Sequence, residues 1–275
     1  MPIVLQALVM GVVQGLTEFL PISSSGHLLL VPYLFQWDDP VIDSLAFSVM
    51  LHMGTLVALL VYFRKEWVVL VPAFFSAARS RSFRDDPDRR LAVLIAITTI
   101  PAIIAGVLLN DFFEKEIRAA GIVAATLVIG AGIMWLADRT GRKDEAMEQL
   151  TPTRALILGV AQSLALIPGI SRSGISISTG LFLGLTRESA ARFSFLMATP
   201  ITAAAGAYEF VKLIRGEAGA TVDLLPIVVG MVAALVSGLA AIHFLLRYLR
   251  TRSLLIFVVY RLVLAAIVVV VILGR

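Results

Sequence analysis

The chain of 275 residues contains no cysteine. That absence excludes disulfides, a thiolate nucleophile and cysteine-ligated metals. Charge is also scarce: only 15% of residues are Asp, Glu, Lys or Arg, against about 25% in an ordinary soluble domain. Period-two alternation is missing, which argues against a β-barrel. The N-terminus has no basic stretch ahead of its apolar run, and that run holds Gln14 and Glu18, so a cleavable signal is not expected.

Apolar residues dominate, at 59% of the chain, with a mean hydropathy of +0.94. Uncharged runs over Ser44–Phe63, Leu91–Leu109, Ala119–Ala137 and Leu224–Leu246 reach the roughly 17–25 residues that a spanning helix needs. Ala190–Val211 and Ser253–Gly274 extend the set to six, with Arg192, Glu209 and Arg261 expected near interfaces or against the bundle. Arg261 is expected to snorkel or pair near the cytoplasmic end of its span. In lipid the backbone must satisfy its own hydrogen bonds, so these segments should be helices.

The net charge of +4 and a pI near 9.7 do not point to nucleic acid, because the basic residues sit in short loops. Arg64–Arg90 holds seven Lys or Arg, Arg139–Arg154 four and Arg247–Arg252 three, fourteen in all. The alternate loops Gln36–Asp43, Asn110–Arg118 and Ile214–Asp223 hold three: Lys115, Arg118 and Arg215. The bias places the first set in the cytoplasm. The Arg79–Arg90 run then reads as a solvated loop.

Residues 2–39 and 154–189 fall outside this walk, and they repeat each other. Gly11–Leu16 (GVVQGL) leads to Ile22–Gly26 (ISSSG), and Gly159–Leu164 (GVAQSL) leads to Ile170–Gly174 (ISRSG), both at an offset of 148 (159 − 11 and 170 − 22). Each copy has two apolar arms around a Pro, Ser and Gly centre, and each reads as a re-entrant hairpin followed by three spans. An odd number of crossings turns the second copy upside down. The expected fold is an all-α polytopic membrane protein of six transmembrane helices plus two re-entrant helical hairpins. These form one domain built as an inverted-topology repeat, with repeat 1 at about 1–140 and repeat 2 at about 150–275.

The copies differ where chemistry would lie. Glu18 is the only charged side chain between Met1 and Asp38, and Arg172 the only one between Arg154 and Arg187. Ionisable groups at membrane depth are functional candidates. Gln14 and Glu18 share a helix face that leads to Ser23, Ser24, Ser25, Gly26 and His27. Arg172 is flanked by Ser171, Ser173, Gly174 and Ser176. Helix starts rich in hydroxyls, together with a guanidinium, suit phosphate. A carboxylate, a hydroxyl and an imidazole beside it suffice for hydrolytic phosphoryl transfer. Glu18 and Arg172 could instead be only a buried structural pair. His52 and His243 lack such company and read as structural. Broken helices in inverted repeats also serve transporters, so movement of a polyprenyl phosphate or another anion stays open beside hydrolysis.

Gly11–His27 (GVVQGLTEFLPISSSGH) and Pro168–Gly174 (PGISRSG), with Leu51–Thr55 (LHMGT) and Phe193–Pro200 (FSFLMATP), closely resemble the bacterial undecaprenyl-diphosphate phosphatase family of the bacitracin-resistance type. The resemblance covers essentially the whole chain. It implies hydrolysis of undecaprenyl diphosphate to the monophosphate carrier lipid of cell-wall synthesis, a divalent cation such as Mg2+, and a link to bacitracin resistance. It also implies residence in the bacterial inner (plasma) membrane, with a site open to the periplasmic or outer face. By motif position it implies catalytic roles for Glu18, Ser24, His27 and Arg172, with Glu18 and Gln14 as candidates to hold the metal. Ser23, Ser25, Gly26, Ser171, Ser173, Gly174 and Ser176 would join Gln14 around the phosphates. Gln14 cannot titrate, so its role is hydrogen bonding or metal positioning; Ser25 and Ser176 stand where the pattern commonly has threonine, which keeps the hydroxyl. Ser24 and His27 remain rival nucleophiles. The expected partners are a polyprenyl diphosphate lipid and the bilayer, with no nucleic acid; a homodimer is left open.

Overall fold

A computed structural model describes residues 1–80, 82–83, 85–116, 119–215 and 224–274. Positions 216–223 of the expected outer loop Ile214–Asp223, together with Arg81, Arg84 and Arg118 of the charge count and the side chains of Lys115 and Glu209, lie outside the described residues. The described chain is all helical. In order it forms α1 (Ile3–Phe19), α2 (Ser24–Phe35), α3 (Leu45–Tyr62), α4 (Arg64–Ser80), α5 (Pro87–Glu116) and α6 (Ala120–Thr140), then α7 (Pro152–Ser163), α8 (Arg172–Phe182), α9 (Arg187–Ile214), α10 (Leu224–Leu249) and α11 (Leu255–Leu273).

Four stretches among the described residues are long and apolar enough to cross a membrane: Pro87–Leu109 of α5, and all of α6, α10 and α11. The pair α3 and α4 qualifies as a fifth only when taken together, across a bend of 87° at Phe63. The segment from Arg64 to Ser80 was expected to be loop and is instead α4. Its sequence explains why: an apolar run from Trp67 to Phe75 lies between basic ends. Only Leu70 and Ala77 of α4 are buried, while Val68 and Phe75 are exposed.

Apolar residues on these helices divide by face. On α11, Phe257 and Val258, then Arg261, Ala265 and Val268 at steps of three or four, are buried, whereas Ile256, Val259, Val263 and Val270 are exposed. The buried stripe packs on α6, and the exposed apolar face suits lipid.

Small residues allow the closest crossings. A Cβ on Gly11 would strike the carbonyl oxygen of Gly230, so α1 lies directly on α10. At the equivalent position of the second copy, a Cβ on Gly159 would come within 2.6 Å of the Thr98 carbonyl oxygen, so α7 lies directly on α5. Close backbone approach through glycine is the usual means of packing helices in membranes. The first helix of each half therefore packs on a helix of the other half. Between them, Phe195 of α9 meets Phe19 of α1 edge-on at 5.6 Å and Phe63 at 6.3 Å. Edge-to-face pairs of this kind add about 0.5–1.5 kcal/mol beyond burial.

Candidate active site

The site forms where α1 and α7 stop. Pro21 cannot donate to the preceding turn, so α1 ends at Phe19, and the chain turns through Pro21 and Ile22 into α2. Pro168 and Gly169, at φ +94°, do the same after α7. Both breaks end on a serine in a conformation that L residues rarely adopt: Ser23 has φ 76° and ψ 97°, Ser171 φ 75° and ψ 117°. Such a residue costs of order 1–3 kcal/mol and persists only where its surroundings hold it. Each serine caps its helix, with Ser23 Oγ accepting from Gly26 N at 3.3 Å and Ser171 Oγ from Gly174 N at 3.2 Å. Each also meets the hydroxyl two residues on, Ser25 at 3.3 Å and Ser173 at 3.2 Å.

The two breaks touch. Arg172, the first residue of α8, forms an ion pair with Oε1 of Glu18, in the last turn of α1. Arg172 also donates to Thr202 Oγ1 of α9 at 2.6 Å. The other Glu18 oxygen accepts from Ser24 Oγ at 2.5 Å and from Gln14 Nε2 at 3.1 Å. Ser173 Oγ donates across to the Leu20 carbonyl at 3.1 Å. Gln14, Glu18, Ser23, Ser171 and Ser173 are buried, Ser24 and Arg172 are half-buried, and Ser25 is exposed. Gln14 Oε1 is buried and has no hydrogen-bond partner among the described residues.

Other expected members stand apart from this chain of contacts. His27 points elsewhere: Nδ1 lies 2.7 Å from the Ser23 carbonyl and Nε2 2.7 Å from the Tyr260 hydroxyl. A carbonyl only accepts, so Nδ1 carries the proton, and in the neutral ring Nε2 accepts from Tyr260. Gly26 and Gly174 give their N–H groups to the serine caps rather than leaving them free. Ser176 is buried, and its hydroxyl has no partner in the described structure. No group of three or more His, Cys, Asp or Glu that could hold a metal ion occurs among the described residues.

Sequence reading missed Thr202, Tyr260 and Arg261. Arg261 neither snorkels nor pairs with an acid. It is fully buried, and carbonyl oxygens surround it. Like Glu18 and Arg172, it is a charge alone in a long apolar stretch. Thr202 and Tyr260 gave no comparable signal, since a threonine and a tyrosine are ordinary in apolar helices. His52 bonds its own helix, Nδ1 lying 2.8 Å from the Ser48 carbonyl, and is also an electrostatic neighbour of Glu18. His243 meets Tyr62 at 3.4 Å, far from the breaks in sequence.

A sequence model of the family described as bacitracin resistance protein BacA matches residues 7–267. Relatives named undecaprenyl-diphosphatase align along nearly all of this chain. The protein of Gemmatimonas aurantiaca is 46% identical over 263 residues, 96% of this chain and 96% of its own length. That of Pelobacter propionicus is 44% identical over 270 residues, 98% and 97%. That of Moorella thermoacetica is 43% identical over 266 residues, 97% of each.

Proposed function

The chain belongs to the bacitracin resistance protein BacA family, and from that premise we propose that it is a multi-pass membrane phosphatase. It hydrolyses undecaprenyl diphosphate to undecaprenyl phosphate and inorganic phosphate. The observation that carries the reading to particular residues is the contact between the two breaks: Ser24 bonded to Glu18, and Glu18 paired with Arg172.

Arg172 binds the terminal phosphate, its guanidinium turning from Glu18 to the phosphoryl oxygens while Thr202 steadies the other edge. Ser24 Oγ gives its proton to Glu18 and attacks the terminal phosphorus. The bond from that phosphorus to the bridging oxygen breaks, and undecaprenyl phosphate leaves. Glu18 hands that proton to the leaving phosphate and, a carboxylate again, takes one from water; the resulting hydroxide attacks the phosphoserine, phosphate departs, and Glu18 returns the proton to Ser24 Oγ. Serine is the better nucleophile here because both nitrogens of His27 are engaged, by Ser23 and by Tyr260. His27 and Tyr260 hold the base of α2 in place. Ser23, Ser25, Gly26, Ser171, Ser173, Gly174 and Ser176 shape the two helix starts, whose remaining N–H groups favour an anion.

A divalent cation, Mg2+, fits the donors at the site. Glu18 is a hard carboxylate ligand, and Gln14 Oε1 is a buried acceptor with nothing to accept from. Mg2+ ordinarily takes one or two such oxygens together with substrate phosphates and water. When bound it would neutralise charge on the diphosphate.

The arrangement we assign is six spans and two re-entrant hairpins in an inverted repeat, repeat 1 about 1–140 and repeat 2 about 150–275. Three observations support it. The two caps share one backbone conformation at an offset of 148 (171 − 23). α1 packs on α10 as α7 packs on α5. And α2, α7 and α8, of 12, 12 and 11 residues, are about 16–18 Å long against a core of roughly 30 Å. The excess of Lys and Arg in alternate loops supports placing those loops in the cytoplasm; residence in the inner (plasma) membrane and a site open to the outer face are carried over from the family resemblance.

Purified protein in detergent should release phosphate from a long-chain prenyl diphosphate, and release should stop when divalent metal is chelated. Acid-quenched turnover should leave acid-stable phosphate on residue 24. Acid-labile phosphate on residue 27 would transfer the nucleophile's role to His27. Movement of lipid phosphate without any phosphate release would favour transport, which the same scaffold suits.

A further inference from the structure

We propose that Arg261 is a positioning residue that clamps the two helix breaks to each other. It comes from α11, which bears neither break. Its side chain is completely buried, and burying a guanidinium is expensive unless every donor is satisfied. A guanidinium has five N–H groups in a fixed planar fork. Five carbonyl oxygens surround this one. Nε donates to Leu127 at 3.1 Å. Nη1 reaches Pro21 at 3.4 Å and Ile170 at 3.0 Å, while Nη2 reaches Thr126 at 3.3 Å and Gly169 at 2.7 Å. No carboxylate among the described residues forms an ion pair with it.

The distribution of those carbonyls assigns the role. Pro21 belongs to the first break, two residues before its cap Ser23. Gly169 and Ile170 belong to the second, directly before its cap Ser171. Leu127 and Thr126 lie on α6. One rigid group thus ties the peptide that aims Ser24 to the peptide that aims Arg172, and fastens both to a long helix. No two-point contact could do this, because the fork holds the breaks at a set separation and angle. The caps are themselves in strained conformations and need such support. Gly130 of α6 leaves the space: a Cβ there would run into Arg261 Nη2.

The clamp rests on the reaction proposed above, so its test carries one readout that does not depend on activity. The chain has no cysteine, so Phe35→Cys and Phe182→Cys, at the exposed ends of α2 and α8, can carry a pair of nitroxide labels. The distance between them reports how the two helices are held. α2 is about 18 Å long, so a small tilt at its start moves the label by several times the shift at the site. Three changes are compared with the native chain: Arg261→Gln, Arg261→Lys and Gly130→Ala. Gly130→Ala keeps a residue that suits a helix; its Cβ would run into the guanidinium and also crowd the Ile170 carbonyl that the guanidinium holds, at 3.1 Å. It thus disturbs the clamp without removing Arg261 and decides the matter if the Arg261 variants fail to fold.

Displacement by about 1 Å can cost about 10²-fold in rate. Arg261→Gln should lower kcat by about that factor with KM within about 3-fold, and Gly130→Ala by about 10-fold. In each the label distances should broaden. Arg261→Lys should behave like Gln, because an ammonium keeps the charge but is a point donor. Wild-type kcat in Arg261→Lys, or lost kcat with an unchanged distance distribution, would overturn the clamp. So would unchanged kcat and distances in folded Gly130→Ala. Absence of phosphate release by the native chain would instead undo the proposed reaction, and the distances would still judge the clamp.

Discussion

The break after α1 and the break after α7 follow the same backbone course and carry opposite charges. Ser23 and Ser171 differ by one degree in φ, cap their helices through the same atom pair, and meet the same neighbouring hydroxyl. Past the cap, one break presents Ser24 and the other Arg172. Before it, one arm carries Glu18 where the other carries Leu166, at the same offset of 148 (166 − 18). The duplicated part is therefore the frame, a strained cap that starts a helix deep in the protein. The unequal part is the chemistry. A nucleophile with its base stands on one side, and a phosphate-binding cation on the other.

The comparison makes its largest claim at position 24. Ser24→Ala should reduce kcat by about 10⁴-fold or more, while Ser173→Ala, at the first hydroxyl past the other cap, should lose only its hydrogen bonds to the Leu20 carbonyl and to Ser171. Similar losses in steady-state phosphate release would mean that the two breaks do not divide the work as described. Next comes the cation. Arg172→Lys keeps charge but forfeits the planar fork, and kcat should fall by about 10³-fold, with the protein still folded and membrane-inserted. Near-native turnover would remove Arg172 from phosphate binding. Smaller still, Tyr260→Phe should cost about 5–10-fold, the worth of one hydrogen bond. A loss as large as that of Ser24→Ala would make the His27 and Tyr260 pair part of the chemistry rather than its support.

Much of this is legible in the sequence, because lipid punishes polar groups. Glu18 and Arg172 stood out because each is alone in a long uncharged stretch, and the doubled ISxSG phrase stood out because serine clusters break apolar runs. The structure brings both together as expected. Arg261 carried the same signal, but a snorkelling model for long basic side chains offered an easy explanation. What decides between snorkelling and burial is which carbonyls are left unsatisfied nearby, and that depends on two breaks distant in sequence. α4 was hidden for another reason. Its seventeen residues begin and end in charge, so a count of basic residues takes it for loop, while its own apolar middle makes a helix at 87° to α3.

The frame itself makes a symmetric forecast. Ser23→Ala and Ser171→Ala should each destabilise by about 1 kcal/mol, the usual worth of an N-cap, and lower the thermal midpoint in detergent by a similar few degrees. A large inequality would show that the shared φ hides different supports. The smallest effect lies far from the site, at the connector between the halves. The hydrogen bond from Arg154 holds the Glu145 carboxyl below its ordinary range; burial opposes this, and the charges of Arg154 and Arg142 add to it. A lowered carboxyl contributes stability in full above its unfolded value, about 4.3, and loses it as pH falls through the folded value. The native chain should thus melt above Glu145→Gln at pH 7, and the gap should close on acidification. A gap that widens toward low pH would contradict the pairing.

The central claim is that two half-sites act as one, and a double-mutant cycle across them measures it most directly. Glu18→Gln, Arg172→Gln and the double variant would be compared by kcat for phosphate release from a prenyl diphosphate. If the halves form a single site, the double variant should be little worse than the poorer single, because each change already disables the shared machinery. Losses that multiply would mean that Glu18 and Arg172 act independently, and the two breaks would then be neighbours rather than one active site.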